Sequence, residues 1–245
     1  MTNVPDTLKY LLKVNLPVLI LGILIPFLVD LTFLSLICFV IFYTLIYLVS
    51  GNIYHRYWSH KQFLANRYFI KITSVIGLFI MVGDPISYAK SHRYHHTHSD
   101  TDKDIHSPMH GIFHALIGWM FTNHKLPLFL VRDLITEPQN SFLVTLAKHQ
   151  IKIIWAGIVI CYLIDVHLFA GLIYAMLLGF SMEMITNAFA HDGKNQVAAN
   201  NYPIALASMG QLHKEHHNNP NSNKKDMGKY LFVLLQKLKL ISRNI

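Results

Sequence analysis

The chain has 245 residues, of which 53% are apolar and only 14% charged, with a mean hydropathy of +0.35. Those values weigh against a water-soluble domain and suit a polytopic membrane protein. The net charge of +8 does not indicate nucleic acid, because the basic residues are scattered beside apolar runs rather than clustered with aromatics on a polar domain.

Lys9 and Lys13 precede an apolar run that continues through Pro17 and Pro26 to Asp30 without a small-residue cleavage site, so 14–29 reads as a retained span rather than a signal peptide. Residues 31–50 form twenty positions without a charge, roughly 30 Å as a helix, enough to cross a hydrocarbon core. Little more than Asp30 separates the two, which predicts a tight hairpin. Two further apolar stretches, 68–82 with Lys71 inside it and the eleven residues 111–121, have the length of re-entrant or interfacial segments. A crossing at 68–82 would also put the histidines on either side of it on opposite faces of a bilayer. A second hairpin is predicted from 151–164 and 168–190, with Asp165 and His167 at its turn, and 229–240 reads as an interfacial helix. Cys38 and Cys161 lie inside apolar runs and imply no disulfide framework.

Of the 21 basic residues, two lie at the start, eleven between 51 and 152, and eight from 194 onward, so neither hairpin turn carries any. The positive-inside rule then puts both termini and the central segment in the cytoplasm. The expectation is an all-α integral membrane protein forming one unit over 1–245. Four transmembrane helices in two hairpins carry a cytoplasmic helical cap, built from 51–150 and 191–245, that holds a di-metal site.

Three histidine clusters fall on the cytoplasmic side: "HRYWSH" (His55, His60), "HRYHH" (His92, His95, His96) and "HKEHH" (His213, His216, His217), with "NAFAH" (Asn187, His191) ending the last span. Positions i, i+3 and i+4 share one helix face, so each H-x-x-H-H triplet aims its imidazoles into one cavity. His55 and His60, about 140° apart on an ideal helix, would flank a site instead. Nine imidazoles exceed what one ion takes and suit two. Neutral imidazole suits iron, zinc, copper or nickel, and no paired Glu-x-x-His motif points to a carboxylate-bridged bundle. Histidines gathered at the headgroup layer as amphipathic fillers would have no reason to repeat a spacing.

Other polar residues have more ordinary readings. Glu183 lies one turn below Asn187 on the same face, and with Asp100, Asp102 and Asp104 it is a candidate to orient ligand imidazoles. His106, His110 and His114 form an i, i+4, i+8 stripe read as packing. His98, His124, His149 and His167 read as surface or interface residues, and Trp58 and Trp119 as interfacial anchors.

On these boxes the chain resembles the membrane fatty acyl desaturases, most nearly the Δ9 acyl-CoA type, which has H-x-x-x-x-H, H-x-x-H-H and H-x-x-H-H boxes. The resemblance covers about residues 14–240 and includes "TDKDIH" (101–106) and the Asn-x-x-x-His at 187–191. It implies a di-iron centre with ligands His55, His60, His92, His95, His96, His191, His213, His216 and His217, and Asn187 acting through water. It also implies dioxygen as co-substrate, a fatty acyl substrate carried as acyl-CoA or acyl-lipid, and a cis double bond, Δ9 by the closest type. The chain departs from the family in "MGQLH" before the third box, in Ala188 after the asparagine, in Val82 and Gly83 where a Gln-Asn pair is found, and in Tyr88 where tryptophan is usual. Tyr88, Lys90 and Arg93 are candidate substrate contacts. No fused haem or flavin motif is seen, so an external donor of the cytochrome b5 or ferredoxin type is expected, in a bacterial inner membrane or endoplasmic reticulum. A lipid hydroxylase on the same architecture, or a metal transporter, are the alternatives.

Overall fold

The structure is a computed structural model that describes residues 5–99, 101–192, 197–198, 213–219 and 228–243. Asp100 and the "MGQL" lead into the third box lie outside the described residues. Four helices are long and apolar enough to cross a membrane: α1 (Asp6–Leu28), α2 (Phe33–Ser59), a third running Pro138–Ile164 whose α-helical part is Ser141–Ile164, and the fourth, Val166–Phe189. Between the two hairpins come α3 (Arg67–Gly77), α4 (Pro85–His98), α5 (Ile112–Leu116) and α6 (Arg132–Thr136). The third and fourth spans are then α7 and α8, followed by α9 (His213–Asn218) and α10 (Gly228–Lys237).

Local chemistry sets both hairpin turns. Thr32 and Ser35 form a reciprocal capping box at the start of α2, and Asp165, extended in backbone, accepts from His167 N at 2.7 Å to start α8. Each satisfies helix-terminal donors where no preceding turn can. The helices are longer than the apolar runs: α1 begins at Asp6 rather than 14, α2 runs through the first histidine box to Ser59, and the third span begins near 138 rather than 151. Hydropathy sees only the lipid-facing part, and Lys148 and Lys152 stay exposed in the first half of α7. α2 and α8 pack closest, because Gly171 has no side chain. A Cβ there would stand 2.6 Å from Cys38 Cβ and 2.7 Å from Phe39 N, the close approach that small residues allow between membrane helices.

The 68–82 stretch turns back rather than crossing. α3 and α4 meet at a bend of 73°, where Met81 is left-handed (φ 63°) and Gly83 has φ 95°. His60, before the segment, and His92, after it, have Nε2 atoms 2.9 Å apart, which a crossing would forbid. Two short ribbons supplement the helices, though no strand was expected. Phe63–Ala65 pairs antiparallel with Ile241–Arg243, and His191–Asp192 with Val197–Ala198. The first brings the chain after α10 back to the exit of the first box, where Phe63 and Ile241 are buried. α10 is only partly interfacial: Leu235 packs against the core while Leu234 and Leu238 are exposed.

Candidate metal centre

The end of α2 winds wide. His60 N donates to His55 O at 3.2 Å, an i to i+5 bond of the π-helical stretch Ser50–Ser59, so residues five apart lie nearly one above the other. The His55 and His60 rings are 4.9 Å apart. The 140° separation expected of an ideal helix is therefore wrong here; both imidazoles face one site.

α4 starts on a built cap. Asp84 accepts from Ile86 N at 2.9 Å, Ser87 N at 3.2 Å and Ser87 Oγ at 2.6 Å, with Pro85 at the first helical position. The helix then turns His92, His95 and His96 to one side and Arg93 to another. Arg93 donates to the carbonyls of Ser59 (2.9 Å), Trp58 (2.6 Å) and Leu130 (2.6 Å), and through both terminal nitrogens to Asp133 (2.7 and 3.1 Å). Lys61 also reaches Asp133, at 2.9 Å. Burial alone would raise the Asp133 carboxyl, but the hydrogen bonds and charges of Arg93 and Lys61 hold it below its ordinary value. Arg93 is thus a clamp between the first two boxes, with its donors spent on the protein, and not a contact for a substrate head group. Lys90, two residues before His92, is half-buried and projects from the opposite side of α4.

All nine histidines converge, in two groups. His55, His60, His92, His96 and His216 have ligand nitrogens within 4.8 Å of one another, and so do His95, His191, His213 and His217. Contacts run Nε2 to Nε2: His55–His216 2.9 Å, His216–His96 3.1 Å, His191–His213 and His213–His217 3.0 Å, His95–His217 3.3 Å. Burial, and then the neighbouring Arg93 and Arg56 charges, push the His60 imidazole down to about 4. Burial and the neighbouring His217 and His60 push His96 down to about 2. His92, His95, His213 and His216 are lowered by burial first and then by neighbouring imidazoles, His55 foremost for His92, His106 for His95, His217 for His213 and His60 for His216. At neutral pH these rings carry one lone pair each. Facing nitrogens at such distances are held either by a shared proton or by a cation between them. Bonds of about 2.1 Å from nitrogen to one ion would separate neighbouring nitrogens by about 3.0–3.4 Å, so the donor set fits two ions.

One carboxylate orients the second group. Asp104, 1% exposed, lies 2.9 Å from His95 Nδ1, which fixes the tautomer that leaves Nε2 free. Asp102 is exposed and approaches no imidazole among the described residues. His106 is buried with its ring 4.5 Å from that of His95 and its Nδ1 3.9 Å from Asp104 Oδ1. Burial pushes it down to about 4 although Asp104 opposes this. The 106/110/114 stripe does not exist as a helix face: Gly111 (φ 99°) breaks the chain before α5, His110 is exposed, and His114 Nε2 bonds Ile105 O at 3.0 Å.

A cavity of about 60 Å3 adjoins the imidazoles, lined among others by Tyr88, His92, His106, Trp119, Glu183 and Asn187. Glu183 accepts from Ser50 Oγ at 2.8 Å rather than bonding a ligand ring. Trp119 lines this cavity, and its indole nitrogen is buried without a partner among the described residues. Trp58 is 2% exposed and donates to Ser74 Oγ at 3.0 Å. Neither is an interfacial anchor. The role of Ser50, the Arg93–Asp133 clamp and the nearness of His106 had no sequence signal beyond residue type, because each depends on a partner at least nine residues away or on the wide turn of α2.

The fold and site define an all-α integral membrane protein with a cluster of histidines that could hold metal ions. No family model matches the chain. Among curated proteins it is 28% identical to the acyl-CoA C20 Delta5-desaturase of Anemone leveillei over 179 residues, 67% of this chain and 56% of the relative. It is 37% identical to Delta-9 acyl-lipid desaturase 1 of Arabidopsis thaliana over 68 residues, 28% of this chain and 22% of the relative. It is 27% identical to the hex-5-enoyl-[acyl-carrier protein] acetylenase of Moorena producens (strain JHB) over 227 residues, 76% and 69%. By these relatives the chain is a homologue of the acyl-CoA and acyl-lipid desaturases, at modest identity. It spans about half the length of the Anemone relatives it matches.

Proposed function

We propose that the protein is a fatty acyl desaturase that introduces a cis double bond, at the Δ9 position by the type its histidine boxes resemble, into a chain carried as acyl-CoA or acyl-lipid. The observation that carries this is the pair of imidazole groups, five and four, closed on two ion-sized spaces. No side chain can take hydrogen from an unactivated methylene. Two iron ions held by these nine nitrogens would supply the oxidising power, with dioxygen as oxidant. The balance is one CH2–CH2 unit, one dioxygen, two electrons and two protons giving one CH=CH unit and two waters. The electrons come from a separate carrier of the cytochrome b5 or ferredoxin type.

The protein's own residues do the positioning. His55, His60, His92, His96 and His216 would hold one ion, and His95, His191, His213 and His217 the other, with Asn187 contributing through a water. Asp104 holds the His95 ring, Arg93 holds α4 against the end of α2, and Tyr88, stacked on His92 at 5.7 Å, forms one wall against the substrate. The basic residues flanking the spans favour a cytoplasmic centre. Ligands gathered at one end of the spans, rather than near their middle, favour an enzyme over a transporter. The test is expression in a host of known lipid composition, with iron analysis of the purified protein and mass-spectrometric location of new double bonds. A hydroxylated product, or zinc in place of iron, would overturn the reading.

A further inference from the structure

One turn below the imidazoles, each of the three helices that lead into the site carries a polar residue: Ser50 before His55 in the wide turns of α2, Tyr88 before His92 in α4, and Glu183 before Asn187 in α8. The Ser50–Glu183 hydrogen bond, 2.8 Å, ties α2 to α8 at that depth. Glu183 and Tyr88 line the 60 Å3 cavity beside the imidazoles, room for about four or five water-sized groups. Beyond this floor the packing closes. Gly179, one turn further along the Glu183 face, has Ile80 3.4 Å and Ile46 3.8 Å from where a Cβ would stand, and both isoleucines are buried. A chain threaded past the metal-binding groups therefore meets a buried carboxyl group, which a methylene cannot hydrogen-bond and which loses polar contact if alkyl carbon displaces Ser50.

We propose that Glu183, held by Ser50, is a specificity-determining residue that ends the path of the acyl chain, so that only a short segment, about four or five atoms, fits beyond the reacting carbons. This rests on the desaturase reading above.

The test uses the full-length, iron-loaded protein in membranes. It is offered saturated thioesters from hexanoyl to stearoyl on coenzyme A and on acyl carrier protein. Products are located by mass spectrometry, and binding is measured by displacement of a fluorescent acyl thioester. Glu183→Ala removes the wall and is expected to lengthen the longest accepted chain by about three carbons, the reach of the side chain removed. Glu183→Gln keeps both the bulk and the Ser50 contact, so its cutoff should match the wild type, with iron content unchanged in both. Glu183→Ser gives the same lengthening if the alanine variant does not insert. An unchanged cutoff in the truncated variants, with wild-type turnover intact, overturns this inference alone. A wild type that neither binds nor oxidises any of the thioesters overturns the desaturase reading, and this inference with it.

Discussion

The two imidazole groups are built differently. Four of the five nitrogens in the first come from α2 and α4 (His55, His60, His92, His96), and only His216 arrives from elsewhere. Three of the four in the second (His191, His213, His217) come from the segment that follows α8. The first is fixed by the wide turn at His55, the Asp84 cap and the clamp of Arg93 on Asp133, none of which involves the third box. The second closes only when the third box folds back onto His95. It also offers one nitrogen fewer. An ion held there by fewer protein ligands would keep a position for water, whereas the cavity beside Asn187 is lined by His92, a member of the first group.

Removing a ligand from either group breaks the comparison most severely. His92→Ala in the first and His213→Ala in the second are each expected to abolish turnover and lower metal content without preventing membrane insertion. Metal analysis beside product analysis checks this, and normal turnover in either variant would refute the assignment. Asp104→Asn removes the carboxylate behind His95 only, so metal affinity or activity should fall by about 10–100-fold. The loss should be confined to the second ion, read as half the metal content remaining.

Arg93→Ala acts on the other side of the comparison, loosening α4 from the end of α2 and leaving Asp133 with Lys61 alone. A loss of about 2–4 kcal/mol is expected, seen as a lower midpoint in thermal unfolding, with metal retention falling first in the five-imidazole group. Acidification sharpens the same contrast in metal-stripped protein. The buried His60 and His96 imidazoles are neutral in the fold, whereas the unfolded chain protonates them below the ordinary value of 6.5, so the unfolded state takes up more protons. Stability is therefore complete above about pH 6.5 and declines as pH falls toward about 4 for His60 and about 2 for His96. An unfolding midpoint that does not change between about pH 7 and about pH 4 would contradict this. The smallest effect belongs to Asp102→Ala, which removes an exposed carboxylate that touches neither group and should leave activity and metal content as they were.

Residue type and helical period alone were enough to find the four spans, the turn-back at 68–82 and all nine converging histidines, because hydropathy and the i, i+3, i+4 rule are local properties of the chain. What escaped that reading was non-local or depended on departures from ideal geometry. An α-helix has 3.6 residues per turn, so His55 and His60 seemed splayed; only the i+5 bonds of the folded chain bring them together. A basic residue beside a site looks free to bind a head group until Asp133, forty positions on, takes it. The same holds for Asp104 against Asp102, two carboxylates alike on paper, of which burial against His95 selects one. The partition of nine like nitrogens into five and four, and the Ser50–Glu183 floor beneath them, exist only where separate helices meet.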